Sequence, residues 1–420
     1  MVKAMQFVAV LSLLASVVLL ASCQTSGMRS TQEGVSDVAG SEDWQSLSAA
    51  DRQDVKIHWS KRMPGLVTDL DQARETKDVL LALVPDTDRS GTIGVPQLWY
   101  LTQEGRVKFQ KNLSSRVKSQ AVTPDGSWIF VSTYDEKLRA LNSAGRTQWE
   151  IQDFCRPYPL AKTRRVLCVF DDESRSGVAF DVIDENGKKI LSHPIKRDLL
   201  AFAVSPDEKY FAYALTLGEV VVLGSDFKPL ANYHMGGEVV DLIFSESGSP
   251  KLAVLYNENI KKGHSRRVSQ TTALIDPVTK SKRDFPVELF GEKIAISHDE
   301  QMLYLYGNNP LGQSLSAWTL VRGNGSGAKL KWQRSEPRPA DFTSVLAMSR
   351  GAVIAGFENV RFGSSPQNLL LGFDREGRVR WKIDLDTKKG AYLYVNRFSV
   401  DRNSLVIVTD EGDVIQYEIR

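Results

Sequence analysis

The run Leu138-Arg139-Ala140-Leu141-Asn142-Ser143-Ala144-Gly145-Arg146-Thr147-Gln148-Trp149 carries the reading of the fold. An apolar stretch ends at Asn142, small polar residues lead to Gly145, and a tryptophan follows four positions later. Glycine is expected where a tight hairpin needs φ > 0, and short apolar runs on either side of it suit strands. The spacing returns at Gly105 to Phe109 and Gly377 to Trp381; Gly187 to Leu191 is a weaker copy, and Gly327 to Trp332 is one residue longer. The large side chain after each glycine is expected to pack between neighbouring sheets.

A second kind of turn alternates with the first. Thr123-Pro124-Asp125-Gly126, Ser205-Pro206-Asp207-Glu208, Ser245-Glu246-Ser247-Gly248, Ser297-His298-Asp299-Glu300 and Ser399-Val400-Asp401-Arg402 each follow an apolar strand and precede another. Proline at the second position, with Asp or Gly later, suits a tight turn. From Asp125 onward these marks fall 82, 41, 51 and 102 residues apart, which fits periods of about 41 and 51. No long stretch keeps a helical period. Two hairpins per period make a four-stranded antiparallel sheet, so the chain is expected to be all-β, an eight-bladed, alternatively seven-bladed, β-propeller. The units lie near 65–112, 116–152, 155–196, 198–233, 236–287, 290–334, 342–385 and 392–420. The last has only three strands. Val55-Lys56-Ile57-His58-Trp59-Ser60 looks like Arg380-Trp381-Lys382-Ile383 and is expected to supply the missing outer strand, closing the ring and removing exposed edges.

Composition agrees with this. The chain has 420 residues, and 53 Lys and Arg against 51 Asp and Glu leave a net charge of +2, too small to argue for nucleic acid. Charged residues at 25% and hydrophobic ones at 42% exclude bulk disorder and a multi-span membrane protein. Three cysteines exclude a disulfide scaffold. Repetition explains how one domain, residues 55–420, grows so long: each blade has its own small core.

Residues 1–22 read as an export signal, with Lys3 before an uncharged apolar run over 7–20 that is too short to span a bilayer core of roughly 30 Å. The signal ends Leu20-Ala21-Ser22-Cys23, which resembles the bacterial lipobox. The resemblance implies cleavage between Ser22 and Cys23, with acyl chains on Cys23 that anchor the protein to a membrane. Gln24 stands where the retention signal of the inner membrane would usually be Asp, which implies the outer membrane, facing the periplasm. Residues 23–54 then form the lipidated cysteine and a flexible tether, because the stretch after Cys23 is rich in Ser, Gly, Thr and acidic residues and poor in large apolar ones.

The 138–149 run is also similar to the repeat of quinoprotein-type propellers, in which a strand ending in Ala-Leu-Asp precedes a Gly-Lys-x-x-Trp hairpin. Gly372-Phe373-Asp374 with Gly377 and Trp381 is a looser copy, and the Ser-Pro-Asp turns look like those of WD40-like and TolB-like propellers. Dehydrogenases of the quinoprotein family carry a vicinal cysteine pair, a Trp disc and calcium-binding carboxylates. Here Cys155 and Cys168 are 13 apart, and Trp59, Trp128, Trp149, Trp332 and Trp381 fall at strand positions that packing explains. No quinone cofactor is therefore expected.

The remaining site candidates are few. Aligning Lys162-Thr163 with Pro124-Asp125 pairs Cys168 with Pro157, so Cys155 and Cys168 share a sheet face as diagonal neighbours, and an oxidising compartment would let them form a disulfide. Diagonal Cα atoms lie roughly 7–8 Å apart, so the ladder near Pro157 and Pro159 has to shift for the bond to close. Asp86-Thr87-Asp88-Arg89-Ser90-Gly91 matches the front half of a calcium loop, with Asp86, Asp88 and Ser90 as donors, but Gln97 stands at the twelfth position where a bidentate Glu is wanted. A solvated polar loop is the plainer reading. The five histidines are scattered, and neither Gly-x-Ser-x-Gly nor His-Glu-x-x-His occurs. The connections between strands two and three are long at 85–96, 172–177, 257–268, 307–315 and 358–366, all on one face. The one at 257–268 carries Lys261, Lys262, Arg266 and Arg267, a patch for an acidic partner or anionic headgroups, or simply a solvated basic loop.

The expected function is a non-catalytic protein-binding scaffold, a monomeric propeller held to the envelope by its lipid. The order leader, tether, propeller resembles the lipoprotein subunit of the outer-membrane β-barrel assembly machine, a family that holds nascent barrel proteins and contacts the barrel-forming core subunit. The rival expectations are an enzyme with a metal- or quinone-dependent site in the central funnel, and a cell-wall or sugar-binding lipoprotein with exposed aromatics, for which Trp99 is the nearest candidate.

Overall fold

A computed structural model describes residues 55–85, 94–170, 177–262, 265–287, 290–309, 312–320, 328–336, 340–347, 353–359, 368–385, 398–399, 404–408 and 412–419. The signal, Ser22, Cys23 and the tether lie outside them. Eight four-stranded antiparallel sheets are present. Seven use four consecutive strands, as in the first blade: Gly65–Gln72, Val79–Pro85, Gln97–Leu101 and Val107–Asn112. The eighth is made from both ends of the chain. Val55–Arg62 pairs with Asp413–Ile419, Val55 opposite Ile419 and Arg62 opposite Asp413, and so becomes its outermost strand. The expectation drawn from residues 55–60 therefore holds.

Strand one of each blade is the innermost. Gly65–Gln72 lies against Val117–Val122, which lies against Arg156–Leu160; farther round, Leu199–Val204 contacts Gly237–Phe244, which contacts Phe290–Ile296, which contacts Ala340–Ala347. Strand two is almost wholly apolar because both of its faces are covered. Residues 79–84 are all buried, and so are Phe211 to Leu215 and Leu252 to Tyr256. The cores sit between blades. Tyr100 and Leu80 of blade one pack with Ile129 and Leu141 of blade two, and Val79 and Leu81 pack with Val406 and Val414 of the eighth sheet.

One contact recurs around the ring. The aromatic on the outermost strand of a blade covers the left-handed glycine in the hairpin between strands three and four of the next. A Cβ on Gly105 (φ 73°) would stand 2.8 Å from the Trp59 ring, on Gly145 2.7 Å from Phe109, on Gly187 2.9 Å from Trp149, and on Gly377 2.7 Å from Trp332. Polar groups reinforce the seat. The Trp59 indole donates to the carbonyl of Gln103 at 2.7 Å and the Trp332 indole to that of Arg375 at 3.0 Å, each two residues before the covered glycine. Lys61 and Lys111, two residues past Trp59 and Phe109, donate to the carbonyls of Gly105 and Gly145. Trp59 thus locks the last sheet to the first blade by the same device that joins blade one to two, two to three and six to seven, whereas Phe227 (φ 61°) and Lys280 (φ 57°) take the left-handed place in the corresponding hairpins of blades four and five.

The Ser-Pro-Asp turns form a second belt. Thr123 Oγ1 donates to Asp125 at 2.6 Å, Ser205 Oγ to Asp207 at 2.7 Å and Ser297 Oγ to Asp299 at 2.7 Å, while the hydroxyls accept from the backbone of Trp128, Tyr210 and Met302. The residue after the aspartate has positive φ in each case and reaches the preceding blade. The Gly126 carbonyl accepts from Tyr100, the Glu208 carboxylate from the backbone N–H of Ala161 and Lys162, and that of Glu300 from Ser245 and Ser247.

Two loops read from sequence are strands instead. Strands two and three of blade five run over Leu252–Lys262 and Ser265–Ile275, paired from Leu252↔Ile275 to Lys262↔Ser265. In blade six, Gly307, Asn308 and Asn309 pair with Ser314, Gln313 and Gly312. The pairing that begins at Leu252↔Ile275 continues without a shift past Tyr256↔Thr271, so the ladder extends into what composition marks as a polar loop. Of the connection at 85–96, residues 86–93 lie outside the described set, as do 172–176 and 360–366 of the other two.

Two predictions follow from this packing. Gly105→Ala forces a Cβ into the Trp59 ring at a left-handed backbone, and Trp59→Ala empties the same seat; each should cost about 2 kcal/mol. Combined in one chain they should cost less than the sum, since both break one contact, which urea midpoints of the three variants will show. The half-buried His193 stacks on Phe180 with centroids 4.9 Å apart and meets the Tyr213 hydroxyl at 3.0 Å, and burial holds its pKa below the ordinary value of 6.5. The unfolded chain then binds the proton more tightly. The stability of the fold is retained above that value and falls as pH drops through it. In His193→Gln, the loss in melting temperature between about pH 7.5 and about pH 5.5 should shrink.

Candidate functional site

The inner strands enclose a cavity of about 320 Å³ in the central channel. Blades three to six supply its walls, and the ladder explains how. In the first strands of six blades the pairing with strand two shifts, at Val67/Asp69, Val117/Ser119, Leu199/Ala201, Val239/Asp241, Gly291/Lys293 and Phe342/Val345. The first five shifts insert a single extra residue, a β-bulge, which re-aims the side chains around it. Three of them frame the cavity. Leu199, Leu200, Ala201 and Phe202 line it from blade four, Val240, Asp241 and Leu242 from blade five, and Lys293 from blade six. Blade three contributes Arg156, Tyr158 and Val169 from an unbroken register, Arg156↔Val169 through Leu160↔Arg165.

The polar groups in this wall are unequal. Asp241 Oδ2 accepts the Ile294 backbone N–H at 3.1 Å and so bridges blades five and six, as Asp69 does for blades one and two through the Gln120 N–H at 3.1 Å. Burial pushes the Asp241 carboxyl above the usual carboxylate range, while the Lys293 ammonium 3.8 Å away opposes the shift. Lys293 is more than half exposed, so that ion pair is a weak one. Leu200 is 38% exposed, an apolar side chain left facing the channel.

The disulfide lies directly behind this wall. Cys155 and Cys168 are both fully buried and bonded, with Cα atoms 5.2 Å apart. Pro157 is opposite Cys168, as the turn alignment implies, but the Cα separation is shorter than for diagonal neighbours. The reason is that Cys155 precedes the last pair, Arg156↔Val169, and its backbone is free of the ladder. Each cysteine is adjacent in sequence to a lining residue: Cys155 to Arg156, and Cys168 to Val169.

Other sequence candidates are distributed elsewhere. Asp86, Asp88 and Ser90, the possible calcium loop, fall outside the described residues. Among the described residues no group of three or more His, Cys, Asp or Glu is placed to hold a metal ion. In the extended hairpin of blade five, Lys261 stands opposite Arg266, Lys262 opposite Ser265 and Arg267 opposite Ile260. Its root is anchored, because Gln270, buried at the base, binds both the N–H and the carbonyl of Gly291 in blade six. Trp99 donates to Gln97 at 2.9 Å and packs, partly buried, on the cluster between blade one and the eighth sheet, with the Lys61 ammonium of the closing strand 5.9 Å from its ring, so it is spoken for by the ring closure. Sequence reasoning missed Arg156, Asp241 and Lys293. A faint signal exists in a charged residue breaking an apolar run, as in Val239-Val240-Asp241-Leu242, but the bulge that turns it inward has no sequence mark.

No protein-family model matches this chain, and no curated protein matches it in sequence. Solved structures do share its fold. BamB from Moraxella catarrhalis is similar at 13% identity with a TM-score of 0.59, over 87% of this chain and 100% of that one. The β-propeller domain of Cps50 (Swd1) from Myceliophteria thermophila is similar at 9% identity with a TM-score of 0.50, again over 87% and 100%. At such identities the likeness is one of fold: this chain is a β-propeller.

The disulfide closes a loop with a sequence separation of 13, and removing it should cost about 3 kcal/mol by loop entropy. Thiol titration of the denatured chain should find these two cysteines reactive only after reduction. The double variant Cys155→Ser/Cys168→Ser should unfold at lower urea with its circular dichroism unchanged.

Proposed function

We propose that this chain is a lipid-anchored, non-catalytic scaffold of the cell envelope that binds other envelope proteins and takes part in outer-membrane protein assembly. The observation that carries the reading is the blade-five hairpin, in which paired strands of 11 residues each extend the ladder as far as Lys262↔Ser265, past the strands of the other blades among the described residues. A rib of this kind, tied at its base by Gln270, presents a paired backbone to a partner at little ordering cost. The leader ending in Cys23 and the tether supply the location. No helix among the described residues is long and apolar enough to cross a membrane. The propeller fold shared with BamB agrees with the sequence resemblance to the assembly-machine lipoprotein. In this reading Lys261, Lys262, Arg266 and Arg267 meet an acidic partner surface.

Two measurements test it. Cys23→Ser should move the protein from the membrane fraction to the soluble periplasmic extract; retention in the outer membrane would remove the anchor from the account. Photocrosslinkers placed at positions 261 and 266 in intact cells should capture a defined envelope protein, and replacing all four basic residues by Gln should reduce its yield at least about tenfold. Recovery of no envelope protein from either position would overturn the scaffold reading.

A further inference from the structure

The blade-five rib outruns the strands on either side of it. Strand one of the blade begins at Gly237↔Glu258 and strand four ends at Val287↔Gln270, while strands two and three continue together to Lys262↔Ser265. On the strand-one side the chain turns away from the ladder. Gly236 takes a left-handed φ of 66°, and the Met235 N–H donates to the Gly218 carbonyl of blade four at 2.9 Å. Among the described residues, no strand pairs with the edge of Asn259, Ile260, Lys261 and Lys262 that faces the strand-one side. That edge is also straight, since the pairing with strand three has no bulge from Leu252 to Lys262. A straight edge of unpaired backbone N–H and C=O groups is a template for another strand, and proteins commonly bend or cover such an edge where no strand is wanted.

Charge, an exposed leucine and the point where the chain enters the ring define the occupant. Residues 259–269 include Lys261, Lys262, Arg266 and Arg267 and no acid, and the register sets Lys261 opposite Arg266. Like charges at opposed positions are unfavourable. A second copy of the rib would bring the same four bases, whereas a strand bearing carboxylates offsets them. Beside the root of the edge lies Leu217, which at 68% is the most exposed large apolar side chain among the described residues and has a left-handed φ of 68°. Its turn is pressed on blade five: a Cβ on Gly218 would stand 2.1 Å from the Gly237 carbonyl oxygen. Backbone strain of this kind gathers at ligand contacts, and an apolar side chain on an incoming strand would cover the leucine. Lipid headgroups are the poorer occupant. Val55, through which the chain leads back to Cys23, pairs with Ile419 at the end of the eighth sheet remote from its strand two to three turn, where Val408 meets Val414. The chain from Cys23 therefore enters the propeller on the face opposite the rib.

We infer that the edge from Asn259 to Lys262 takes up an extended acidic segment of a partner protein as an added strand, in line with strand one of blade five. Main-chain hydrogen bonds hold the segment, and its carboxylates select it against neutral strands and against a second copy of this chain. The inference rests on the scaffold reading and gives the contact its mode.

The probe is a capped heptapeptide of alternating valine and glutamate, titrated into the full chain carrying Cys23→Ser. It should bind saturably. Its counterpart N-methylated at every residue keeps the charges and loses the N–H donors, and should bind at least about tenfold more weakly. With the parent peptide, amide hydrogen exchange over residues 258–262 should slow at least about tenfold. The pair Lys261→Gln and Lys262→Gln, and separately Leu217→Ser, should weaken binding severalfold, with circular dichroism and melting establishing that each variant is folded. Absence of saturable binding up to about 1 mM, equal affinity for the N-methylated peptide, unaltered exchange over 258–262, indifference to both variants, or binding of phosphatidylglycerol vesicles in preference to the peptide would each overturn the inference. The scaffold reading is judged apart from this, because crosslinks from positions 261 and 266 in cells do not require strand addition.

Discussion

An aromatic ring seated on a glycine that only a left-handed backbone can present is the contact on which this architecture rests. A blade by itself is a small sheet with two apolar faces, and it is stable only when both are covered. Trp59 on Gly105, Phe109 on Gly145, Trp149 on Gly187 and Trp332 on Gly377 are the same joint at four places in the ring. A side chain at the glycine would collide with the ring, and a smaller residue in place of the aromatic would leave a gap. Trp59 makes the joint a closure, because it arrives on a strand from the opposite end of the chain.

Beyond this repeated joint, variation gathers on the inner strands and the hairpin ends. Bulges break the inner ladder in most blades, and blade three instead has a plain register behind a disulfide. The hairpins of blades five and six lengthen at the opposite end of their strands. Repeat folds commonly divide labour this way, with constant packing positions holding the ring while termini and loops carry what is individual to the protein.

Sharing a fold with BamB and with a Swd1 propeller says how the chain is built and leaves its chemistry to its own surfaces. Two such surfaces stand out on physical grounds. The blade-five rib is long, basic and braced at its root by Gln270 on Gly291. The channel cavity is small and brings Arg156, Asp241 and Lys293 together with apolar side chains.

Sequence alone determined the repeat, the four-stranded unit, the closing strand at 55–60 and the pairing of Pro157 with Cys168. All of these are local spacings, in which a glycine, a Ser-Pro-Asp turn or an alternation marks its own place in the ladder. It also marked the aromatic positions, though not that each ring seats on the glycine of the following blade. What tertiary structure decided depends on register and curvature. Residues 257–262 look like a loop because they are polar, yet they continue a ladder whose partner strand supplies the hydrogen bonds. Cys155 and Cys168 approach more closely than diagonal neighbours because Cys155 lies just beyond the last paired residue. Asp241 and Lys293 reach one cavity through bulges of a single residue each, and Arg156 joins them there from an unbroken strand of a third blade. An inserted residue leaves no trace in composition or period, and only the closed ring brings its consequences to the same point.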